Sequence, residues 1–493
     1  MARMSRTRLL AAVGACACLA AAAPISAQDG CAFGEEGNDV LRQVTLTGGE
    51  AIFYVTRPHL VCEGGVQVWA DSAVAYTSSN MAHLIGSVRY EDPHRSLRAR
   101  EARYFSQVGR LQASGSLVVE DLDEGSVIEN GELVYLRATS FRDEESMRVT
   151  TGPDGVRPKA RLTAPAGAGD PGAPSPGDAR NYVVEGDEIL TRGGSYLRSV
   201  GSVELAFDSV VAFADTLEYR EVENYLELRG EAMIDAPDYD LSGQRIELLE
   251  PEPLLREIRA ERDAVLTGED LVLTSERIFL FARDEQLQRL VALPPEVDSA
   301  VVAGEGTAPA AARPHALAAD FEITADSLEV LAPGDQIERL FAAGRARSVS
   351  YAGDSLNVEE LPEVARSDWL EGDTIIVTFA PEVAAGAPTP AMVDAPAVPA
   401  QDTIVVPADP PVSAPARAGV TVERIEALVG ARSLYRLTPS DQGARAGEDP
   451  PAVHYVVGDR ITIVMRDGEV DHMEVEGQTT GLHLEPLRPG ATP

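Results

Sequence analysis

One short pattern recurs along this chain and narrows the folds open to it. Ala70-Asp71 is followed by Gly86-Ser87-Val88, which begins sixteen residues after Ala70. Ala99 is followed at the same spacing by Gly115-Ser116-Leu117, and Ala214-Asp215 by Gly230-Glu231-Ala232. A looser copy runs from Gly186-Asp187 to Gly201-Ser202-Val203, and two longer ones join Ala325-Asp326 to Gly344 and Gly458-Asp459 to Gly477. The longer copies hold turn residues, Pro333-Gly334-Asp335 and Arg466-Asp467-Gly468, which account for the added length. Sixteen residues suit two strands and a tight turn. A Gly inside a strand weakens it, so its return in every copy calls for a bend or a close backbone approach. A bend repeated at one place in successive hairpins folds the sheet over along a line.

Hydrophobicity between these markers has a period of two. Leu111, Ala113, Leu117 and Val119 share one face, while Gln112, Ser114, Ser116 and Glu120 share the other. Leu226, Leu228, Ala232 and Ile234 alternate in the same way with Glu227, Arg229 and Glu231. Such strands have one apolar and one wet face. The expected fold class is therefore mostly β, with repeated antiparallel hairpins around an apolar interior. Ser116 and Glu227 are expected to face water. The recurring Asp71, Asp215, Asp326 and Asp459 are expected to cap turns through side-chain to backbone hydrogen bonds.

Three stretches lack the pattern: 158–180, 294–316 and 380–419, all rich in Ala and Pro. They are expected as linkers or long loops between folded units at 28–157, 181–293, 317–379 and 420–493. The chain opens with Arg3, Arg6 and Arg8, an apolar run from Leu9 to Ala23, and small residues up to Ala27. That is the layout of a signal peptide cleaved after Ala27; an uncleaved anchor and a lipoprotein signal at Cys16 are the alternatives. Export to the periplasm, with an association with the outer membrane, is the expected location. Cys31 and Cys62 then remain as the only cysteines, and one disulfide between them is expected in an oxidising compartment. Removing the leader's three arginines takes the formal charge from −37 to about −40. That balance speaks against nucleic-acid binding, which needs a basic footprint.

On the Ala-Asp openings at 70–71, 214–215 and 325–326 and the glycine returns at 86–88, 115–117, 201–203 and 230–232, the chain resembles the OstA/LptA family of periplasmic lipopolysaccharide-transport proteins. Segment 66–136 carries the resemblance best, followed by 186–250 and 320–350. The resemblance implies a folded-over β-jellyroll, or β-taco, that carries lipopolysaccharide or a related glycolipid toward the outer membrane. It implies no catalysis and no cofactor. The chain departs from the family in its length and its long linkers. It also lacks the aromatic girdles of the outer-membrane barrel found in the family's large members, aromatic residues being 5% of the total. Residues expected to line the groove are Leu111, Ala113, Leu117, Val119, Leu217, Tyr219, Leu226, Leu228, Ala232 and Ile234; they could equally form a closed core.

The sequence carries no recognisable catalytic or metal-binding pattern. The seven histidines have no ligand spacing on one element, and there is no Gly-x-Ser-x-Gly, phosphate loop or dinucleotide fingerprint. From Arg89 to Arg110 six arginines face three acids. Arg95, Arg98, Arg100 and Arg103 are candidates to contact lipid phosphates, since guanidinium suits bidentate phosphate recognition; pairing with the acidic surface is the alternative. A folded-over sheet has edges, so partners are expected to join by strand pairing, with head-to-tail self-association or docking to other envelope components. The candidate edges are 51–68, 453–464 and 470–483. The competing functions are a structural β-repeat protein without cargo and a β-solenoid polysaccharide enzyme, the latter with no catalytic constellation behind it.

Overall fold

The computed structural model describes residues 31–164, 180–296, 313–380, 406–407, 422–437 and 450–485, with short gaps at 35–36, 48–49, 124, 208, 253–254, 269–270, 284–285, 319–320, 351–356, 360 and 467–468. The leader expected at 1–27 lies outside these residues. The described structure is antiparallel β-sheet with a few short 3-10 turns and no α-helix.

The strands form two leaves that share their long members. Met81–Glu91 shows how. Its first half pairs with Ser72–Tyr76 and its second half with Gln67–Trp69. Its neighbour Arg95–Phe105 follows it through the same change of direction, with the register broken between Ile85 and Val88. The same break recurs between Val200 and Val203, Arg229 and Ala232, Glu261 and Ala264, Ala343 and Ala346, and Leu428 and Ala431. These β-bulges line up as a hinge. The first leaf runs from Asp39–Thr45 to Glu469–Glu476, flanked in turn by the two-residue strand Val406–Pro407, and the second from Cys31–Phe33 to Thr480–Leu484.

The repeat is the hinge. Gly86 and Ser87 both have positive φ, at 76° and 44°, as do Gly230 and Glu231, at 79° and 44°. A side chain on Gly86 or Gly230 would overlap the carboxylate of Asp71 or Asp215 on the neighbouring strand. Asp187, Asp326 and Asp459 stand in the same relation to Gly201, Gly344 and Gly477. In the copy that lacks Asp, the Arg100 side chain packs beside Gly115 instead. The Asp71 and Asp326 backbone N–H groups donate to the carbonyls of Gly86 and Gly344, each at 2.9 Å. The turn-capping role expected of these aspartates is thus replaced by contact across a strand pair. Two carry ion pairs: Asp326 with Arg313 at 3.1 Å and Arg345 at 2.7 Å, and Asp187 with Arg157 at 3.1 Å.

The segments expected as linkers do not interrupt the sheet. Lys159–Ala164, placed in the first of them, is a strand paired with Arg180–Glu185, and Ala160 is fully buried. Gln286–Leu293 pairs with Ser327–Leu331 across the second segment, and Asp368–Phe379 pairs with Val422–Leu437 across the third. Separate units would have left backbone groups of each terminal strand unpaired; pairing across the insertions satisfies them.

The leaves face each other over one continuous core. It runs from Leu60 and Val68 through Leu84, Leu111, Leu133, Ile189, Leu217, Leu228, Ile246 and Ile278 to Ile375 and Ile461. Alanines, among them Ala113, Ala160, Ala260, Ala292 and Ala342, let the leaves come close. A smaller cluster of Val349, Ala365, Trp369, Leu434 and Val453 packs elsewhere, beside the short turn Glu363–Ala365.

Candidate functional site

The candidate site is the interior between the leaves and the seam opposite the hinge. Along the strands of the middle of the sheet, burial falls with distance from the bulge. Leu217 and Leu228, two residues from the hinge and directly paired, are each 1% exposed. Tyr219 and Leu226, the next inward pair, are half-buried. On the second leaf Val203 is buried and Leu205 half-buried, and Leu241 and Tyr239 repeat the gradient. The half-buried side chains pack against the core and continue with Leu248, Leu271 and Phe321, then Ile425 and Ile463. They form an apolar file along the seam.

The structure brings the ten expected lining residues onto this one interior. Leu111, Ala113, Leu117, Val119, Leu217, Leu228, Ala232 and Ile234 belong to the buried core, while Tyr219 and Leu226 stand at the seam. Side chains fill the space between the leaves near the hinge. Towards the N-terminal part of the seam, Tyr90, Arg95, Leu97, Val119, Tyr135 and Met147 close the gap as well. A guest here requires the leaves to part.

The arginines divide. Arg95, expected at a headgroup, is buried on the inner face. It ion-pairs with Glu145 and with Asp121 at 3.6 Å, and lies 5.3 Å over the Tyr135 ring. Its inward direction follows the alternation Arg95, Leu97, Ala99, a sign that a period-two count would have caught. Arg98 and Arg103 alternate with buried residues and project from the outer faces, where Arg103 sits 3.7 Å from Glu101. Arg100 lies at the hinge beside Gly115. The four arginines are therefore not gathered in one place.

Tyr90, Tyr104, Tyr135, Asp92 and Glu145 were not among the expected site residues. The Tyr90 hydroxyl donates to Asp92 at 3.0 Å, and the Tyr135 hydroxyl is 2.9 Å from Glu145 and 3.3 Å from Asp92. Burial, reinforced by the nearby carboxylates, keeps the Tyr90 and Tyr135 hydroxyls protonated far above the ordinary tyrosine range.

Glu227 departs from expectation in the opposite sense. It points outward, yet its side chain is 0% exposed beneath Arg229 and Arg245. Burial alone would raise its carboxyl pKa; the two guanidinium groups outweigh that and hold it below the ordinary value. Tyr225 and Glu247 extend this lattice across the outer face of the first leaf.

Cys31 and Cys62 form a disulfide and are directly opposed in the pair Cys31–Phe33 with His59–Cys62. The edges at the N-terminal end differ from those expected, whereas the expected stretch 470–483 takes in most of the edge strand Thr480–Leu484. Ala51–Thr56 is paired on both sides, so Asp39–Thr45 is the first-leaf edge, exposed along nearly its whole length. Ala452–Arg466 is also paired on both sides, because the chain continues into Glu469–Glu476 and Thr480–Leu484. Thr480–Leu484 is exposed at every residue.

Among the described residues no cluster of three His, Cys, Asp or Glu could hold a metal ion, and no helix is long and apolar enough to cross a membrane. No family model matches the chain, and no curated protein does.

Proposed function

We propose that this protein is an exported, non-enzymatic carrier that holds the acyl chains of lipopolysaccharide or a related glycolipid between its two leaves. The observation behind this reading is the apolar file along the seam, half-buried and backed by a core that runs from one end of the sheet to the other. A closed domain has no need to keep such a file of apolar groups at the surface of one side. Each buried methylene contributes roughly 0.8 kcal/mol before ordering costs. A few acyl chains therefore suffice to drive apart leaves joined by single bulged strands, while the sugar stays in water. The chain shows no motif for nucleotide binding, so direction would come from partners. The disulfide suits an oxidising compartment.

The test is native mass spectrometry of the protein purified from the cell envelope, alongside titration with a fluorescent fatty acid. Co-purifying glycolipid, and probe binding weakened by Leu226→Asp with the fold retained, are expected. Folded protein that carries no lipid and binds no probe would sink the proposal. The second reading is a β-scaffold without cargo. It is favoured by the tight filling near the hinge, where Leu84, Leu111 and Ile246 are no more than 1% exposed. Under that reading the probe finds no site.

In either case Asp39–Thr45 and Thr480–Leu484, edge strands among the described residues, are where a second copy or another envelope component would pair.

A further inference from the structure

The seam changes character along the sheet. Among the described residues, every half-buried apolar side chain that packs on the main core, Cys31 apart, lies at Leu162 or beyond. Nearer the N-terminus, polar groups from both leaves meet at the corresponding place. Tyr90 and Arg95 come from the second leaf, with Asp92 from the turn between their strands and Asp121 from the strand paired with Arg95. Tyr104 and Tyr135 come from the first leaf, with Glu145 just before the strand Ser146–Thr150. The contacts cross between leaves: Arg95 to Glu145, Tyr135 to Asp92 at 3.3 Å, and the Tyr90 ring 6.0 Å from Tyr104 and 6.1 Å from Tyr135. A second strap joins the same region, with Arg137 Nη1 donating to the Glu63 carbonyl at 2.7 Å.

The Arg95 side chain is only 8% exposed, and its Nη1 has no hydrogen-bond partner. Burying such a cluster is costly, and apolar residues of similar size would pack the position at least as well. Its effect is to bind the two leaves together where the seam would otherwise continue. An acyl chain sliding past would have to separate these ion pairs inside an apolar interior, leaving charges unpaired.

On the acyl-carrier reading above, we infer that the Arg95–Tyr135–Glu145–Asp92 cluster is a polar barrier that ends the lipid compartment. Long-chain acyl groups occupy the seam from about Leu162 onward, centred on Leu205, Tyr219, Leu226, Tyr239, Leu248 and Leu271. The strands before the barrier stay closed to lipid and serve as a capped end.

The experiment uses the full-length oxidised protein and palmitic acid bearing a diazirine near its terminal carbon, with photolabelled peptides mapped by mass spectrometry. Labelling of the wild type should fall on 196–293 and be about tenfold lower on 51–105, the ratio set by roughly 1.4 kcal/mol. Arg95→Met combined with Asp92→Asn and Glu145→Gln should let label spread into 51–105. Tyr135→Phe, which removes only the cross-leaf hydroxyl, should do so to a smaller extent and guards against a triple variant that fails to fold. Equal labelling of both regions in the wild type overturns the barrier, as does an unchanged map in a variant whose melting curve shows it folded. An absence of label anywhere in the folded wild type refutes the acyl-carrier reading itself, and the barrier with it.

Discussion

Gly230 and Asp215 meet across the hinge, and the contact explains why the repeat keeps both. Gly230 has φ 79°, and a Cβ there would overlap the Asp215 carboxylate. Gly230→Ala should therefore cost about 1–3 kcal/mol, combining left-handed strain with the clash. Adding Asp215→Ala should restore part of it, as read by urea unfolding of both variants. Glu227 makes a different prediction. Its folded pKa lies below the ordinary 4.5, so the stability it adds is present above pH 4.5 and is lost as pH falls through the folded value. Glu227→Gln should lower stability at pH 7 by roughly 1–3 kcal/mol, because Arg229 and Arg245 lose their carboxylate. The gap between the two proteins should then close in acid; a constant gap from pH 7 to pH 3 would refute the assignment. Alternation shows which side of a strand Glu227 occupies but not what covers it: the roof comes from Arg245, eighteen residues on and on another strand.

At the level of strands, the hairpins and the inward direction of the eight buried residues could be foreseen, because period-two burial and turn chemistry are local. The joining of units across 165–179, 297–312 and 381–405 could not. Pairing of Gln286–Leu293 with Ser327–Leu331 depends on edge backbone groups finding partners, and side-chain order carries no mark of it. For the same reason the edges were misplaced by one strand at the N-terminal end. The three-residue strand Cys31–Phe33 is held to His59–Cys62 by its ladder and by the disulfide. Reduction should release this strand without melting the sheet, since Leu60 and Val68 remain packed in the core. Hydrogen exchange should quicken at 31–33 and 59–62 on adding reductant, while 225–235 stays protected. Loss of protection throughout would mean that the disulfide supports the whole fold. Closing a loop with a sequence separation of 31 residues stabilises by about 3–4 kcal/mol in the chain-entropy model.

Over the whole molecule, the proposed partners would join at the two ends of the sheet. Deleting 453–493 removes the last strands of both leaves and exposes Val422–Leu437 as a new edge. The truncated protein should keep the far-UV signature of a β-sheet. It should lose the concentration-dependent light scattering expected of head-to-tail association; full-length protein that stays monomeric and docks to nothing would remove the basis for edge pairing. The ladder from strand to next strand also has a mechanical meaning. Each strand hydrogen-bonds only to its neighbours on either side, and the order along the sheet largely follows the order along the chain. Such an array behaves as a line of coupled units rather than as a single cooperative body. Pulled by its two termini, it would open like a zipper, each strand peeling in turn. A strand such as Tyr225–Asp235, with 11 residues, would add roughly 4 nm of slack as it came free. Resistance to tension would then depend on whatever blocks the first strand at each end: a disulfide at the N-terminal side, and at the other the hydrogen bonds of Thr480–Leu484, with the His483 ring against His454.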